Sequence, residues 1–323
     1  MTNQDIWRIL KTQFETKSRA VFEISELLHL SQPAVYNRLS GKTPFTLEEL
    51  QVLADEWGFH FFIHSQQDLA SFPCRYGVLN GQNRKPIEYL NDVSNYLKNS
   101  SSWAELRLTL FMQELPPFLL FSYPNLSTFK FFHWGNSTWM SEGLDDRYTF
   151  SQLLNNKSLH EQTRFITEFT RRYSKCEFYQ GNIIQKTLSE LQYYLPVLEQ
   201  DQSFNLKNVL EELQSAVNDL KERSSASRDN HQMFLIDVKT LSESFLLESE
   251  EESIAFVSFD EPHYLEMRDE AFINHFRHMR KIMQENAVCI SGMNRMERKK
   301  YFDLLQNEID TFSSGFISSK TNR

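Results

Sequence analysis

The most constraining feature of this chain is residues 24–59, where helix starts and stops follow one another closely. Apolar residues at helical spacing predict a short amphipathic helix over 22–28. Ser31 is a good N-cap for a second helix, and Pro33 suits its first turn, because a missing N–H costs nothing there. Gly41 adopts a positive φ easily and predicts the end of that helix. The segment therefore predicts two short helices joined by a three-residue turn.

Further helices are predicted on both sides of this pair. Thr46 and Glu49 form a predicted capping box. The helix that follows is expected to turn five residues inward: Leu47, Leu50, Leu53, Ala54 and Trp57. Upstream, the apolar residues of a first helix are Ile6, Trp7, Ile9, Leu10 and Phe14. Such a cluster has the docking geometry of a protein that reads the DNA major groove, so we predict an all-α helix-turn-helix N-terminal domain over 1–64.

The second helix of the pair has a polar face with the chemistry of DNA recognition. Gln32 and Asn37 carry amide groups that can bind an adenine edge in a bidentate manner, so we expect them to specify bases. Five residues lie where phosphates would pass and complete the predicted DNA-binding set: Ser31, Tyr36, Arg38, Lys42 and Thr43. Residues 1–64 hold six Lys or Arg against eight Asp or Glu. A single copy should therefore bind weakly, and we expect a homodimer on a double-stranded operator with two half-sites.

The turn, the caps and the core spacing over residues 5–60 resemble the lambda-repressor-like (Cro/XRE) family. That resemblance implies a sequence-specific DNA-binding transcriptional regulator. Pro33 stands where the family often has a polar base-reading residue, so one direct base contact is expected to be missing. The acidic balance leaves an alternative open, in which a protein-interaction adaptor has kept the helix-turn-helix scaffold without operator binding.

Composition predicts a cytoplasmic protein of two domains. A length of 323 residues suits two domains, and a net charge of −9 argues against general affinity for nucleic acid or membrane surfaces outside the N-terminal helices. Cys74, Cys176 and Cys289 are isolated from one another, as expected in a reducing compartment. The sequence has no N-terminal signal pattern and no apolar run that approaches a bilayer span.

The remainder of the chain predicts a linker and a second domain. Residues 65–86 are rich in Gly, Pro, Asn and Gln and predict a linker or hinge. Residues 87–323 mix helical periodicity with strand signals, the latter at 106–112, 233–238, 243–247 and 254–259. We therefore predict a larger, helix-rich α+β domain with a small, mainly antiparallel sheet. The acidic run at 248–253 predicts an exposed hairpin turn.

An aromatic stretch at 115–134 is the candidate for a binding pocket. Such a stretch most often forms core, yet two Pro-anchored turns beside dense aromatic side chains can also line an apolar cavity. Lys130 within it must point away from the aromatic face or pair with a carboxylate. A pocket for a small-molecule or peptide effector is expected among seven residues: Phe118, Phe121, Tyr123, Phe129, Lys130, His133 and Trp134.

A second resemblance covers most of the chain. LPPF at 115–118, YPNL at 123–126 and FKFFHW at 129–134 resemble a segment of a regulator group common in Bacteroidetes. Those proteins join a lambda-repressor-like N-terminus to a large C-terminal domain of unassigned function. AVCISGMNRMERKKYF at 287–302 is similar to the group's C-terminal signature, although Arg295 stands where an acidic residue is expected. If the chain is a transcriptional regulator, we expect residues 87–323 to provide dimerisation and effector sensing.

The sequence contains no recognisable catalytic motif. A phosphate-binding Gly-rich loop, a nucleophile elbow and a His-Glu-x-x-His helix are all missing from it. His275 and His278 have a spacing that can bind a metal, but Arg277, Arg280 and Lys281 surround them with positive charge. We therefore predict no enzymatic activity, no cofactor and no metal.

Overall fold

The computed structural model describes residues 14, 16–57, 74–75, 85–100, 105–139, 148–225, 231–236, 242–250 and 252–321. The chain divides into two compact units, residues 1–71 and 72–323. Each unit has its own hydrophobic core. Residues 6–10 of the predicted first helix lie outside the described residues, as does most of the predicted linker.

The described part of the first unit consists of α1 (Lys17–Leu27), α2 (Gln32–Leu39) and α3 (Leu47–Trp57). The caps that the sequence predicts for α2 and α3 are present. The Ser31 Oγ accepts a hydrogen bond from the Ala34 N–H at 3.4 Å, and Gly41 has a φ of +81°. The Thr46 N–H donates to Glu49 Oε2 at 3.0 Å, while the Glu49 N–H donates to Thr46 Oγ1 at 3.2 Å. The predicted capping box is confirmed.

The apolar faces of these helices form one small core. Its buried residues are Val21, Ile24, Val35, Leu39, Phe45 and Leu53. Leu47 was predicted to face inward but is 66% exposed, because it is the first residue of α3 and the inward stripe begins one turn later, at Leu50.

The second unit is built on an eight-stranded mixed sheet with the order β1-β7-β6-β5-β2-β3-β4-β8. Its strands are β1 (Cys74–Arg75), β2 (Arg107–Met112), β3 (Ser174–Gln180), β4 (His231–Ile236), β5 (Ser244–Glu248), β6 (Ser253–Asp260), β7 (His263–Met267) and β8 (Val288–Cys289). The pairs β2–β3 and β3–β4 are parallel, and every other pair is antiparallel.

The prediction of a small, mainly antiparallel sheet was wrong, because the sheet has eight strands and two parallel pairs among its interior strands. Helical segments long enough to cross over separate β2 from β3 and β3 from β4, so these strands pair in parallel. Cys74 and Arg75, which the sequence placed in a linker, form an edge strand against β7 instead. The acidic run does connect a hairpin, because β5 and β6 pair with Glu248 opposite Ser253.

Helices cover both faces of the sheet. They are α4 (Pro86–Ser100), α5 (Pro117–Leu120), α6 (Pro124–Ser137), α7 (Phe150–Leu154), α8 (Lys157–Thr170), α9 (Gln185–Leu198), α10 (Leu206–Ser225), α11 (Glu270–Asn286) and α12 (Arg295–Thr321). Within the described residues, none of the helices has the length and apolar character needed to cross a bilayer.

The two faces have separate cores because side chains alternate along each strand. Leu108, Leu110 and Met112 of β2 enter the larger core, where α4, α6, α9, α10 and α12 pack. Phe111 of the same strand enters the smaller core beneath α11. The sheet is therefore the middle layer of three.

Candidate functional site

The exposed face of α2 carries three of the predicted DNA-binding residues. Gln32, Tyr36 and Asn37 are exposed, whereas Val35 and Leu39 on the opposite face are buried in the core of the first unit. Ser31 lies exposed at the N-terminus of the helix as its cap. One face is thus held by packing and the other is left to solvent, as a helix that enters a groove requires.

The turn after α2 brings two further predicted residues back to the end of that helix. The N–H groups of Lys42 and Thr43 both donate to the Asn37 carbonyl, at 2.9 and 3.2 Å. The positive φ of Gly41 makes this reversal possible. Lys42 and Thr43 are exposed beside the polar face of α2, where a phosphate can be bound by the ammonium and the hydroxyl.

Arg38 has a different role from the one that the sequence suggested. Its Nε and Nη2 donate to the two carboxylate oxygens of Glu49 at 2.8 and 2.7 Å, which ties α2 to α3. The two side chains are only 15% and 16% exposed. The bidentate pair with Arg38 lowers the pKa of Glu49, so both charges persist at neutral pH. A phosphate would have to displace this carboxylate, and we therefore leave Arg38 out of the phosphate-binding set.

Lys17 is a basic residue that the sequence reasoning missed. It begins α1, and its Nζ lies 6.0 Å from the centroid of the Tyr36 ring on α2. Nothing in the local sequence marks it, because only the packing of α1 against α2 brings the two residues together. Lys17 and Lys42 are the cations that the described residues place near the polar face of α2.

Most of the aromatic stretch at 115–134 forms core, and residues near its start, including Phe118, line a cleft. Phe121, Phe129 and Trp134 are buried in the larger core of the second unit. The Tyr123 hydroxyl donates to Asp219 Oδ2 at 2.6 Å. Of the seven predicted residues, Phe118 lines a cleft of about 250 Å³ in the described part of the chain. The other aromatic side chains of the predicted set pack in the core and do not line this cleft.

Lys130 and His133 belong to a buried network of charges. The Lys130 Nζ donates to Glu114 at 2.6 Å and to Glu190 at 2.7 Å, so the predicted pairing of this lysine with a carboxylate is confirmed. The His133 Nε2 lies 3.4 Å from Glu190. Lys186 reaches Glu114 at 3.6 Å and also pairs with Glu261. This network was not evident from sequence, because its members come from distant parts of the chain.

Three carboxylates of this region, from Glu114, Glu243 and Glu261, approach within 4.8 Å of one another. Such a set has the ligand chemistry of a divalent-cation site. Burial raises the pKa of Glu114, but Lys130 and Lys186 outweigh it and hold that pKa below the ordinary value. Because the two ammonium groups already neutralise Glu114, we assign the cluster a structural role.

The two predicted sites therefore differ in outcome. The structure leaves Gln32, Tyr36, Asn37, Lys42 and Thr43 exposed on or beside α2, whereas most residues of the predicted effector pocket are buried in the core. No protein-family model, no curated protein and no solved structure matches this chain.

Proposed function

We propose that this chain is a sequence-specific DNA-binding transcriptional regulator that inserts α2 into the major groove. One observation carries the proposal: α2 is capped at Ser31, anchored through Val35 and Leu39, and presents Gln32 and Asn37 to solvent. The resemblance of residues 5–60 to lambda-repressor-like proteins supports the same function.

The residues have separate tasks in this proposal. Gln32 and Asn37 specify bases through their amide groups. Ser31, Tyr36, Lys42 and Thr43, with Lys17 added from α1, bind phosphates and fix the position of the helix on the duplex. Two cations give one protomer weak affinity, so we propose a cytoplasmic homodimer whose second unit provides dimerisation and effector sensing.

Selection from a random duplex library, followed by sequencing of the bound fraction, tests the proposal. We expect an enriched sequence with two related half-sites separated by one or more helical turns. Asn37→Ala should relax the preference at one base pair, at a cost of about 1–3 kcal/mol in discrimination. Lys207→Gln, which changes an exposed side chain of α10, is the control and should leave the enriched sequence unchanged. Recovery of the same sequence by Asn37→Ala would contradict the assigned orientation of α2.

A protein-interaction adaptor is the second candidate. The described part of the first unit exposes the apolar side chains of Phe22 at 50%, Leu47 at 66% and Val52 at 40%. Buried apolar anchors dominate the energy of many protein interfaces, so these residues favour a protein partner. An adaptor predicts weak, sequence-blind DNA binding and a partner interaction that depends on Phe22 and Leu47 but survives Gln32→Ala and Asn37→Ala.

A further inference from the structure

A cleft in the second unit lies away from the charge network described above. Its walls come from the start of the α5–α6 region (Phe118, Ser122), the end of α8 (Arg171), the start of β3 (Lys175) and the end of α10 (Arg223). Its volume is about 250 Å³, several times the share of one water molecule, which is about 30 Å³. The cleft can therefore hold a small organic molecule.

Lys175 lines this cleft and is a buried residue. The residue is 8% exposed, and its Nζ donates to the Tyr173 carbonyl at 3.3 Å. The Phe118 ring lies 6.0 Å away. Among the described residues no carboxylate comes within 4.0 Å of the ammonium, which is a rare state for a buried lysine. Burial is the main reason that the pKa of Lys175 falls to about 8.

Arg223, which lines the same cleft, carries unsatisfied donors. Its Nε and Nη2 are both buried, and neither has a hydrogen-bond partner in the described part of the chain. The Ser122 hydroxyl in the cleft wall is buried without a partner as well. Buried donors of this kind are normally paired, so three of them around one cavity point to an acceptor that the cavity receives.

The nearby carboxylates do not supply that acceptor. Asp219 accepts a hydrogen bond from the Tyr123 hydroxyl at 2.6 Å, and Glu222 is exposed. Glu177 is buried, and its Oε2 accepts from the Tyr179 hydroxyl at 2.8 Å and lies 3.0 Å from the His231 Nε2, while its Oε1 has no hydrogen-bond partner among the described residues. Among the described residues, none of these carboxylates forms an ion pair with Lys175 or Arg223, although Glu177 is close enough to attract both.

We propose that this cleft binds a small organic anion through its phosphate or carboxylate group. The Lys175 ammonium attracts the charged group as a point charge, and the planar guanidinium of Arg223 binds it through parallel N–H groups. Arg171 is exposed at the rim and draws the anion in. Phe118 and Leu119 provide an apolar wall for the rest of the molecule. The proposal does not depend on DNA binding by α2, because its test measures ligand binding alone.

Calorimetric titration of the full chain at constant ionic strength tests this site with two probes, sulfate as the tetrahedral analogue of phosphate and succinate as the carboxylate. Saturable binding of either supports the proposal, and the preferred probe identifies the anion class. We expect Lys175→Met and Arg223→Gln to weaken binding at least about tenfold, since each removes a cation that pairs with the charged group of the bound anion. Arg171→Gln, whose exposed position protects folding, should weaken it severalfold. Lys207→Met, an exposed cation on α10, should leave it unchanged.

The pH dependence gives an independent readout. The charged groups around Lys175 are Glu177, Arg171 and Arg223, with Asp219 and Glu222 in the cleft wall. Affinity should fall as pH rises through about 8, because Lys175 then loses its proton, and this fall should vanish in Lys175→Met. The proposal is overturned if neither probe saturates up to high millimolar concentration, or if all the variants bind as the wild type does.

Discussion

Glu243 shows how one buried carboxyl group can set the pH response of this protein. Its Oε1 accepts from the N–H groups of Gln113 and Glu114 at 3.2 and 3.0 Å, and no lysine among the described residues forms an ion pair with it. Burial, together with the neighbouring Glu114 and Glu261 carboxylates, raises the pKa of Glu243 to about 8. The folded protein therefore retains a proton here at neutral pH.

This retained proton predicts that stability falls as pH rises. Between about pH 4.3, where an unfolded Glu ionises, and the folded pKa of about 8, the native state binds a proton that the unfolded chain has lost. Glu243→Gln keeps an oxygen acceptor for both N–H groups and never ionises. We expect the loss of stability from pH 5 to pH 8 to be smaller in this variant, by about 1–3 kcal/mol.

Urea unfolding at pH 5, 6, 7 and 8 measures the difference. Glu211→Gln removes an exposed carboxylate from α10 and serves as the control, which should follow the wild-type curve. Parallel curves for the wild type and Glu243→Gln would show that Glu243 does not hold the proton.

At the scale of elements, helices of the first unit were predictable because their signals are local. The N-cap of α2 involves residues three positions apart, as does the capping box of α3. Strand order is a property of distant residues. Apolar and polar residues alternate along β2, which suggests a strand with one solvent-exposed face. In the structure α11 covers that face, and Arg280 donates to the buried Thr109 hydroxyl at 3.2 Å. A polar residue that finds a buried partner far along the chain gives the same sequence pattern as an exposed one.

The central position of β2 predicts a large effect from one of its leucines. Leu110 is fully buried in the larger core, between the helices and the sheet. Leu110→Ala should lower the free energy of unfolding by about 2–5 kcal/mol, through lost transfer energy and a residual cavity. Leu47→Ala is the matched control at an exposed site and should change it by less than about 0.5 kcal/mol. Denaturant unfolding of both variants tests this, and similar losses would contradict the three-layer arrangement.

The C-terminal signature, noticed through a resemblance, turns out to be a structural element. Arg298 is 8% exposed, and its Nη1 donates to the carbonyls of Ile290 at 3.0 Å and Gly292 at 2.8 Å. Gly292 has a φ of +67°, which the turn requires. The sequence pattern located this motif but did not reveal its role. In a sequence, an arginine that binds backbone carbonyls looks the same as one that binds a ligand.

For the whole molecule, the anion cleft illustrates what a sequence cannot predict. Its cations, Arg171, Lys175 and Arg223, lie on three different elements and form no motif. Composition alone suggested a pocket at the aromatic stretch, whereas the cleft is recognised by buried donors that have no hydrogen-bond acceptor. Unsatisfied buried donors become visible only when the surrounding atoms are placed.

The charge of the whole chain bears on the proposed DNA binding through its dependence on salt. With a net charge of −9, affinity must come from local cations, and Lys17 and Lys42 are those placed beside α2. At about −0.9 per neutralised phosphate, a dimer with two such contacts per protomer should give a slope of about −4 for log affinity against log salt.

Lys42→Gln should reduce the magnitude of this slope to about 2. The pair Arg38→Gln with Glu49→Gln should leave the slope unchanged, because Arg38 already binds Glu49. Anisotropy titrations across a salt series measure all three, and a flatter slope in the Arg38 pair would return that residue to the phosphate contacts.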